Sequence, residues 1–191
     1  MNDKLTAWFP LLLLAILAAL TYWLDLAVQM PAGSRNGAVR HDPDYIAANL
    51  SAMSMAADGS IKNTLFATKM THYPDDDSTY LQAPKLVSYA QGKAPITITS
   101  REALMSSDGK TVDFQDDVRV SRAAYDDKSE LVMQTSHLHV IPDDKIAETD
   151  QPVTITDANT IVHAVGLELD GKTHILKLKS RVQGIYDQHK K

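Results

Sequence analysis

The chain has 191 residues, a formal net charge of −5 and no cysteine, and 44% of it is hydrophobic. Without cysteine, disulfide scaffolds, thiol nucleophiles and Cys-based zinc or iron–sulfur sites are excluded. An acidic balance offers no basic surface for nucleic acid.

The first element is apolar. Residues 5–24, LTAWFPLLLLAILAALTYWL, carry no charge, and at ~1.5 Å rise per residue they match the ~30 Å hydrocarbon core of a bilayer. Trp8 and Phe9 lie near one end, and Tyr22 and Trp23 near the other, where amphipathic rings favour the headgroup level. A cleaved signal peptide would have a shorter apolar run of about 7–15 residues and a small-x-small site, which DLAVQMPAGS does not supply. A helix of a soluble core would need a polar face. Residues 1–28 are therefore expected to anchor the chain in a membrane. Lys4 before the run and Arg35 and Arg40 after it hardly bias orientation. The short leading tail favours an inward N-terminus, with the remainder outside.

Residues 29–42, rich in Gly, Pro, Ser and Asn, read as a linker, and residues 43–191 as one domain of roughly 150 residues. Ile46, Leu50 and Met53 are spaced as on a helix. Asp58-Gly59, however, is a hairpin turn, and TLFATKMTHY after it alternates, so two strands joined at Asp58-Gly59 are predicted. Further strands are predicted at ITIT (96–99), VDF and VRVSR (112–122), ELVMQTSHLHVI (130–141), VTIT (153–156), IVHAVGLELD (161–170) and HILKLKSRVQGIY (174–186). No capped helical period follows the anchor, so the domain is expected to be all-β.

Its turns repeat. Asp108-Gly109-Lys110, Asp143-Asp144-Lys145 and Asp170-Gly171-Lys172 each end one strand and open the next, and Pro74-Asp75-Asp76 resembles Pro142-Asp143-Asp144. A β-unit recurring every ~30–35 residues suggests stacked strand layers, as in a solenoid or open jellyroll. The end layers of such a stack leave unpaired edges, to which a partner can add a strand. Leu81, Ala83 and Val87 share one parity, as do Leu176, Leu178, Val182, Gly184 and Tyr186. A narrow sandwich would pack them into a dry core; a splayed one would leave an apolar groove.

Enzymatic chemistry finds little support. His137-x-His139 places two rings on one strand face, with His163 and His174 in later strands, and a metal site there would need a third or fourth ligand at suitable range. No HExxH, GxSxG, P-loop or GxGxxG occurs. The Asp clusters sit in turns, where carboxylates bond backbone N–H groups, and Asp75-Asp76-Asp77 has no calcium-loop spacing. No enzyme activity and no cofactor are expected.

An ordered set of motifs carries a resemblance. After the apolar start come PDY (43–45), L-x-A-x-x-M-x-H-Y-P-D-D-D (65–77) and L-x-x-P-x-L (81–86). DGKTVDFQDDVRVSR, L-x-V-x-P-D-D-K-x-A-E-T-D-x-P-V (138–153) and A-x-G-L-x-L-D (164–170) follow. This order resembles the LptC family of the lipopolysaccharide export machinery, except that segment 45–57 is unusually Ala-rich. The resemblance implies a single-pass inner-membrane protein with a twisted, open OstA-like β-jellyroll in the periplasm. It implies a non-enzymatic relay that takes lipopolysaccharide from the ABC transporter LptB–LptF–LptG and passes it to LptA. The anchor and N-terminal strands would meet the transporter, and the C-terminal strand edge LptA. Acyl chains are then expected against Leu50, Phe66, Met70, Leu81, Leu176, Leu178 and Tyr186, with phosphates near Lys69, Lys177 or Lys179. The alternative is a membrane-tethered structural or interaction module with a dry β core and no lipid ligand.

Overall fold

The hairpin expected at Asp58-Gly59 forms as its chemistry dictates. Gly59 takes φ 82°, which only glycine adopts without strain, and the Asp58 carboxylate accepts hydrogen bonds from the Ser60 N–H and hydroxyl. The computed structural model describes residues 3–28, 41–173 and 175–187. These fall into two units, Met1–Arg40 and His41–Lys191. Most of the predicted linker and His174 lie outside the described residues.

In the first unit, α1 runs from Asp3 to Val28 with Pro10 inside it. Its large side chains from Leu12 to Leu26 are exposed. Thr21 donates its hydroxyl hydrogen bond back to the Leu17 carbonyl. Among the described residues no helix is long and apolar enough to cross a membrane; the side chains of residues 3–9, 11, 27 and 28 are outside that set.

The second unit is all-β, as expected. Its strands are β1 (Tyr45–Met55), β2 (Ile61–Tyr73), β3 (Ser78–Gln82), β4 (Lys85–Ser88), β5 (Ile96–Thr99) and β6 (Glu102–Met105). They continue as β7 (Val112–Arg122), β8 (Leu131–Ile141), β9 (Ile146–Thr156), β10 (Thr160–Asp170) and β11 (Ile175–Tyr186). Three short strands, β3, β4 and β6, were not predicted; β5 is as short, but its sequence ITIT is wholly β-branched. VDF and VRVSR are one strand, bent in the middle, and VTIT is the end of the longer β9.

All eleven strands belong to one antiparallel sheet, with β1 and β11 at its ends. The sheet is doubled over along a row of irregularities. On β7, Asp116 and Asp117 oppose a single residue of β8, since Gln115 pairs with His137 and Val118 with Thr135. Both aspartates have positive φ, a region Asp tolerates better than most residues, and such a bulge bends its strand. On β9, Asp150 and Gln151 oppose Gly166 of β10, and on β11, Arg181 and Val182 oppose Ala164. Near the other end, Asn49 in β1 and Ala83 after β3 also have positive φ.

The row divides the long strands into halves. The first half of β2 pairs with β4 and its second half with β3. β7 likewise pairs with β6 through its first half and with β5 through its second. One layer thus contains β4 and β5, the other β3 and β6, and the long strands pass through both. The buried cluster draws on both layers: Leu86, Ile98, Val118 and Met133 from one, Leu81, Phe114, Leu138 and Leu167 from the other. Phe114 and Leu138 are cross-strand partners and fully buried.

Inward parity changes at the bends. On β8 Met133 and Thr135 are buried before the bend, then Leu138 and Val140 after it; on β10 Ala164 is followed by Leu167. The predicted set Leu81, Ala83 and Val87 is corrected for this reason. Leu81 and Val87 are buried, but Ala83 is exposed. Its φ of 47° and its N–H bond to the Arg101 carbonyl place it at a kink, not in a strand.

Candidate functional site

Doubling a sheet leaves a cleft between its layers where the strands end. On the layer of β4 and β5 these ends are the β4–β5 and β7–β8 connections. On the other they are the β8–β9 and β10–β11 turns. The repeated Asp-rich turns predicted from sequence all lie on this second side, because every second turn of an antiparallel sheet falls on the same edge. A cavity of about 360 Å³ opens there. Leu86, Ile96 and Ile98 line it from one layer, and Val140, Ala147 and Leu169 from the other. Lys62 and Asp143 bridge the layers at 2.6 Å. A larger hollow of about 870 Å³ lies along the bend, but Arg101, Asp116, Asp117, Arg119 and Gln134 make its wall polar. Arg101 and Asp117 are also ion-paired there.

The predicted site residues separate by face. Leu50 pairs with buried Ala67, and Met70 with Leu81; both are partly buried against the core. Leu81 itself is 1% exposed, part of the packed centre. Leu178 pairs with Leu167, and Leu176 with Leu169, so both share the core-side face. Leu178 packs on the core, whereas Leu176 is 46% exposed. Tyr186 pairs with Thr160, on the parity of buried Ala164, and is 66% exposed. Phe66 is not brought together with the rest. Its cross-strand partners are exposed Ser51 and Lys85, its neighbours Leu65 and Ala67 belong to the core, and it is 41% exposed.

The predicted phosphate cations are mostly occupied. Lys177 reaches Glu168 at 3.2 Å and Lys179 reaches Asp150 at 2.7 Å. The Asp150 contact raises the Lys179 pKa from its ordinary value and lowers that of Asp150. Cations that strand parity did not single out line the cavity instead: Lys93, Arg122, Lys128 and Lys145. Lys128 donates to the Tyr125 hydroxyl at 3.1 Å. That bond, aided by the charges of Lys128, Arg122 and Lys93 and opposed by desolvation, lowers the Tyr125 pKa. The cavity mouth is electropositive. No periodic signal in the sequence joins these positions, which come from separate segments.

Four of the described histidines, His41, His72, His137 and His139, contact carboxylates. His139 Nδ1 and His137 Nε2 approach the same Asp113 oxygen at 2.8 and 3.4 Å, and His163 meets the Thr154 hydroxyl at 3.1 Å. At the start of the domain, His72 sits between Asp44 (2.7 Å) and Asp77 (3.1 Å) and is stacked on Tyr45. The Asp44 hydrogen bond is the main cause raising the His72 pKa; desolvation opposes it, and Asp77 adds to the rise. Among the described residues, His41, Asp75 and Asp76 bring potential ligand atoms within 4.8 Å of one another, and His41 also stacks on Tyr73.

A family profile described as "LptC: Lipopolysaccharide-assembly, LptC-related" matches residues 11–187. No curated protein matches the chain.

Proposed function

The chain belongs to the LptC-related family of lipopolysaccharide-assembly proteins, and on that premise we propose that it relays lipopolysaccharide through the cleft between its two sheet layers. The family implies a role in lipopolysaccharide transport. The observation that carries the finer reading is the doubled sheet with an apolar cleft between the layers and, among the described residues, an unpaired strand edge at each end. Acyl chains are captured by burial of apolar surface at ~25 cal/mol per Å². Leu50, Met70, Leu176, Leu178 and Tyr186 offer that surface on the core-side face; Leu81 backs it from the packed centre.

In this reading the chain performs no chemistry. ATP hydrolysis by an LptB–LptF–LptG transporter supplies the work, the β1 edge receives lipid from that side, and the β11 edge hands it to LptA by strand addition. Helix α1 holds the domain at the inner membrane, the N-terminus facing inward and the domain in the periplasm. Two features support that anchor: the uncharged run of residues 5–24, and the Thr21 hydroxyl satisfied within the helix, as a hydrocarbon environment requires.

The test is photocrosslinking in membranes. A photoreactive residue at Leu176 or Leu50 should give an ATP-dependent lipopolysaccharide adduct when the transporter is present, and one at Phe66 should not. No adduct at either core-side position, with the transporter active, would favour the tethered module with a dry core.

A further inference from the structure

Six cations of the β unit are neutralised where they stand. Lys62, Arg101, Lys110, Lys172, Lys177 and Lys179 each contact a carboxylate. Arg122, Lys128 and Lys145 have no carboxylate contact among the described residues, and all three line the apolar cavity at the cleft mouth. They reach it from three places: the end of β7, the β7–β8 connection and the β8–β9 turn.

Each is held without being neutralised. Arg122 donates through Nη2 to the Ser129 carbonyl at 2.7 Å and lies 5.1 Å from the Tyr125 ring centroid. Its Nε is buried and has no hydrogen-bond partner. Lys128 stands 5.3 Å from the same ring centroid. Lys145 is set by its turn, with φ 58° and its carbonyl accepting the Gly171 N–H at 2.8 Å. A Cβ on Gly171 would come within 2.8 Å of the Lys145 Cβ, so the two turns fit only with glycine there. Deeper in the same cavity, Asn63 is 8% exposed and its buried Oδ1 has no partner. A buried polar atom without a partner costs about 1–3 kcal/mol, so such atoms on a cavity wall point to an occupant. Asp157 is the acid whose pKa responds to the Arg122 charge, and its main bonds are to the N–H groups of Asn159 and Thr160.

We propose that Arg122, Lys128 and Lys145 seat the phosphate of an anionic lipid headgroup at the cleft mouth, the lipid's acyl portion lying against Leu86, Val140 and Leu169. This rests on the reading of the cleft as a lipid site. A guanidinium and two ammonium groups suit a phosphate, which accepts several charge-assisted hydrogen bonds at once. The apolar walls behind them suit the chains attached to it. The seat gives the cleft an orientation: chains inward, charged headgroup at the rim.

The experiment compares two probes on the full-length protein in neutral detergent: fluorescent diphosphoryl lipid A and the same lipid with its phosphates removed. The wild type should prefer the phosphorylated probe by about tenfold or more, the size of charge-assisted hydrogen bonds. Combined Arg122→Gln, Lys128→Gln and Lys145→Gln should abolish the preference and leave binding of the dephosphorylated probe unchanged. Charge-conserving Arg122→Lys, Lys128→Arg and Lys145→Arg should restore it, which separates lost charge from lost fold. A preference that survives neutralisation overturns the seat and leaves the cleft reading standing. Failure of the wild type to bind either probe overturns both. Inorganic phosphate binding as tightly as the phosphorylated lipid overturns the headgroup in favour of a free anion.

Discussion

The middle of the sheet and its ends are made from similar residues and fare differently. In β7 and β8, Val112, Phe114, Val118, Met133, Leu138 and Val140 are buried. In β11, Ile175, Leu176, Val182, Ile185 and Tyr186 are as apolar, yet every residue of that strand except Leu178 is exposed. β1 is similar, with Tyr45, Ile46, Met53 and Met55 exposed. The difference is one of neighbours. A central strand has a ladder on both sides and the opposite layer above it, whereas among the described residues β1 pairs only with β2, and β11 only with β10. Stability therefore concentrates in the centre.

That contrast can be broken at its strongest point. Phe114→Ala removes a ring with no exposure and should cost about 3–5 kcal/mol, measured by urea unfolding of the full-length protein in detergent. A cost below about 1 kcal/mol would mean that the centre is loosely packed and the comparison misplaced. The bend is tested by Gly166→Ala. Gly166 has φ 80°, and a Cβ there would lie 2.8 Å from the Lys179 side chain. A loss of about 1–2 kcal/mol is expected from the left-handed backbone, with Lys179 displaced from Asp150. At the end of the sheet, Leu176→Arg should change stability by no more than about 0.5 kcal/mol, as for an exposed site, while abolishing lipid crosslinking at its neighbours. Unaltered crosslinking would remove Leu176 from the lipid path.

The smallest effect concerns the β1 end. His72 has its pKa raised and Asp44 has its pKa lowered by their mutual hydrogen bond. The His72 contribution is present below its unfolded-state pKa and lost as pH rises through the elevated folded value. The Asp44 contribution is present above its unfolded-state pKa and lost as pH falls through the depressed folded value. The contact is thus strongest in mildly acidic solution. Amide exchange at residues 45–48 should be faster at about pH 8 than at about pH 6 after correction for intrinsic rates. His72→Gln should remove that difference.

Much of this architecture was written locally. Asp58-Gly59 and Asp108-Gly109 name their own turns because Asp bonds backbone N–H groups and glycine accepts positive φ; at Asp170-Gly171 the Asp170 carboxylate does the same for the N–H groups of Lys172 and Thr173. Val, Ile and Thr alternating between those turns are strands in any context that buries one face. The ordered motifs led to the family. The uncharged run of residues 5–24 is equally local, and it lies within the helix α1.

Other features exist only between strands. Whether Phe66 faces inward depends on its partners Ser51 and Lys85, and no property of β2 by itself sets that choice. The side-chain period of a strand is two, so one bulge reverses every position beyond it. Asp116-Asp117 reads in sequence as another acidic turn, but in the folded sheet it is the bend that doubles the layers. Arg122, Lys128 and Lys145 are ordinary cations until three separate segments bring them to one cavity. Sequence by itself determined where the chain turns and which class of fold it builds, because those depend on neighbouring residues. Tertiary structure decided which face is inside and which charges meet, because register is the sum of pairings across the whole sheet.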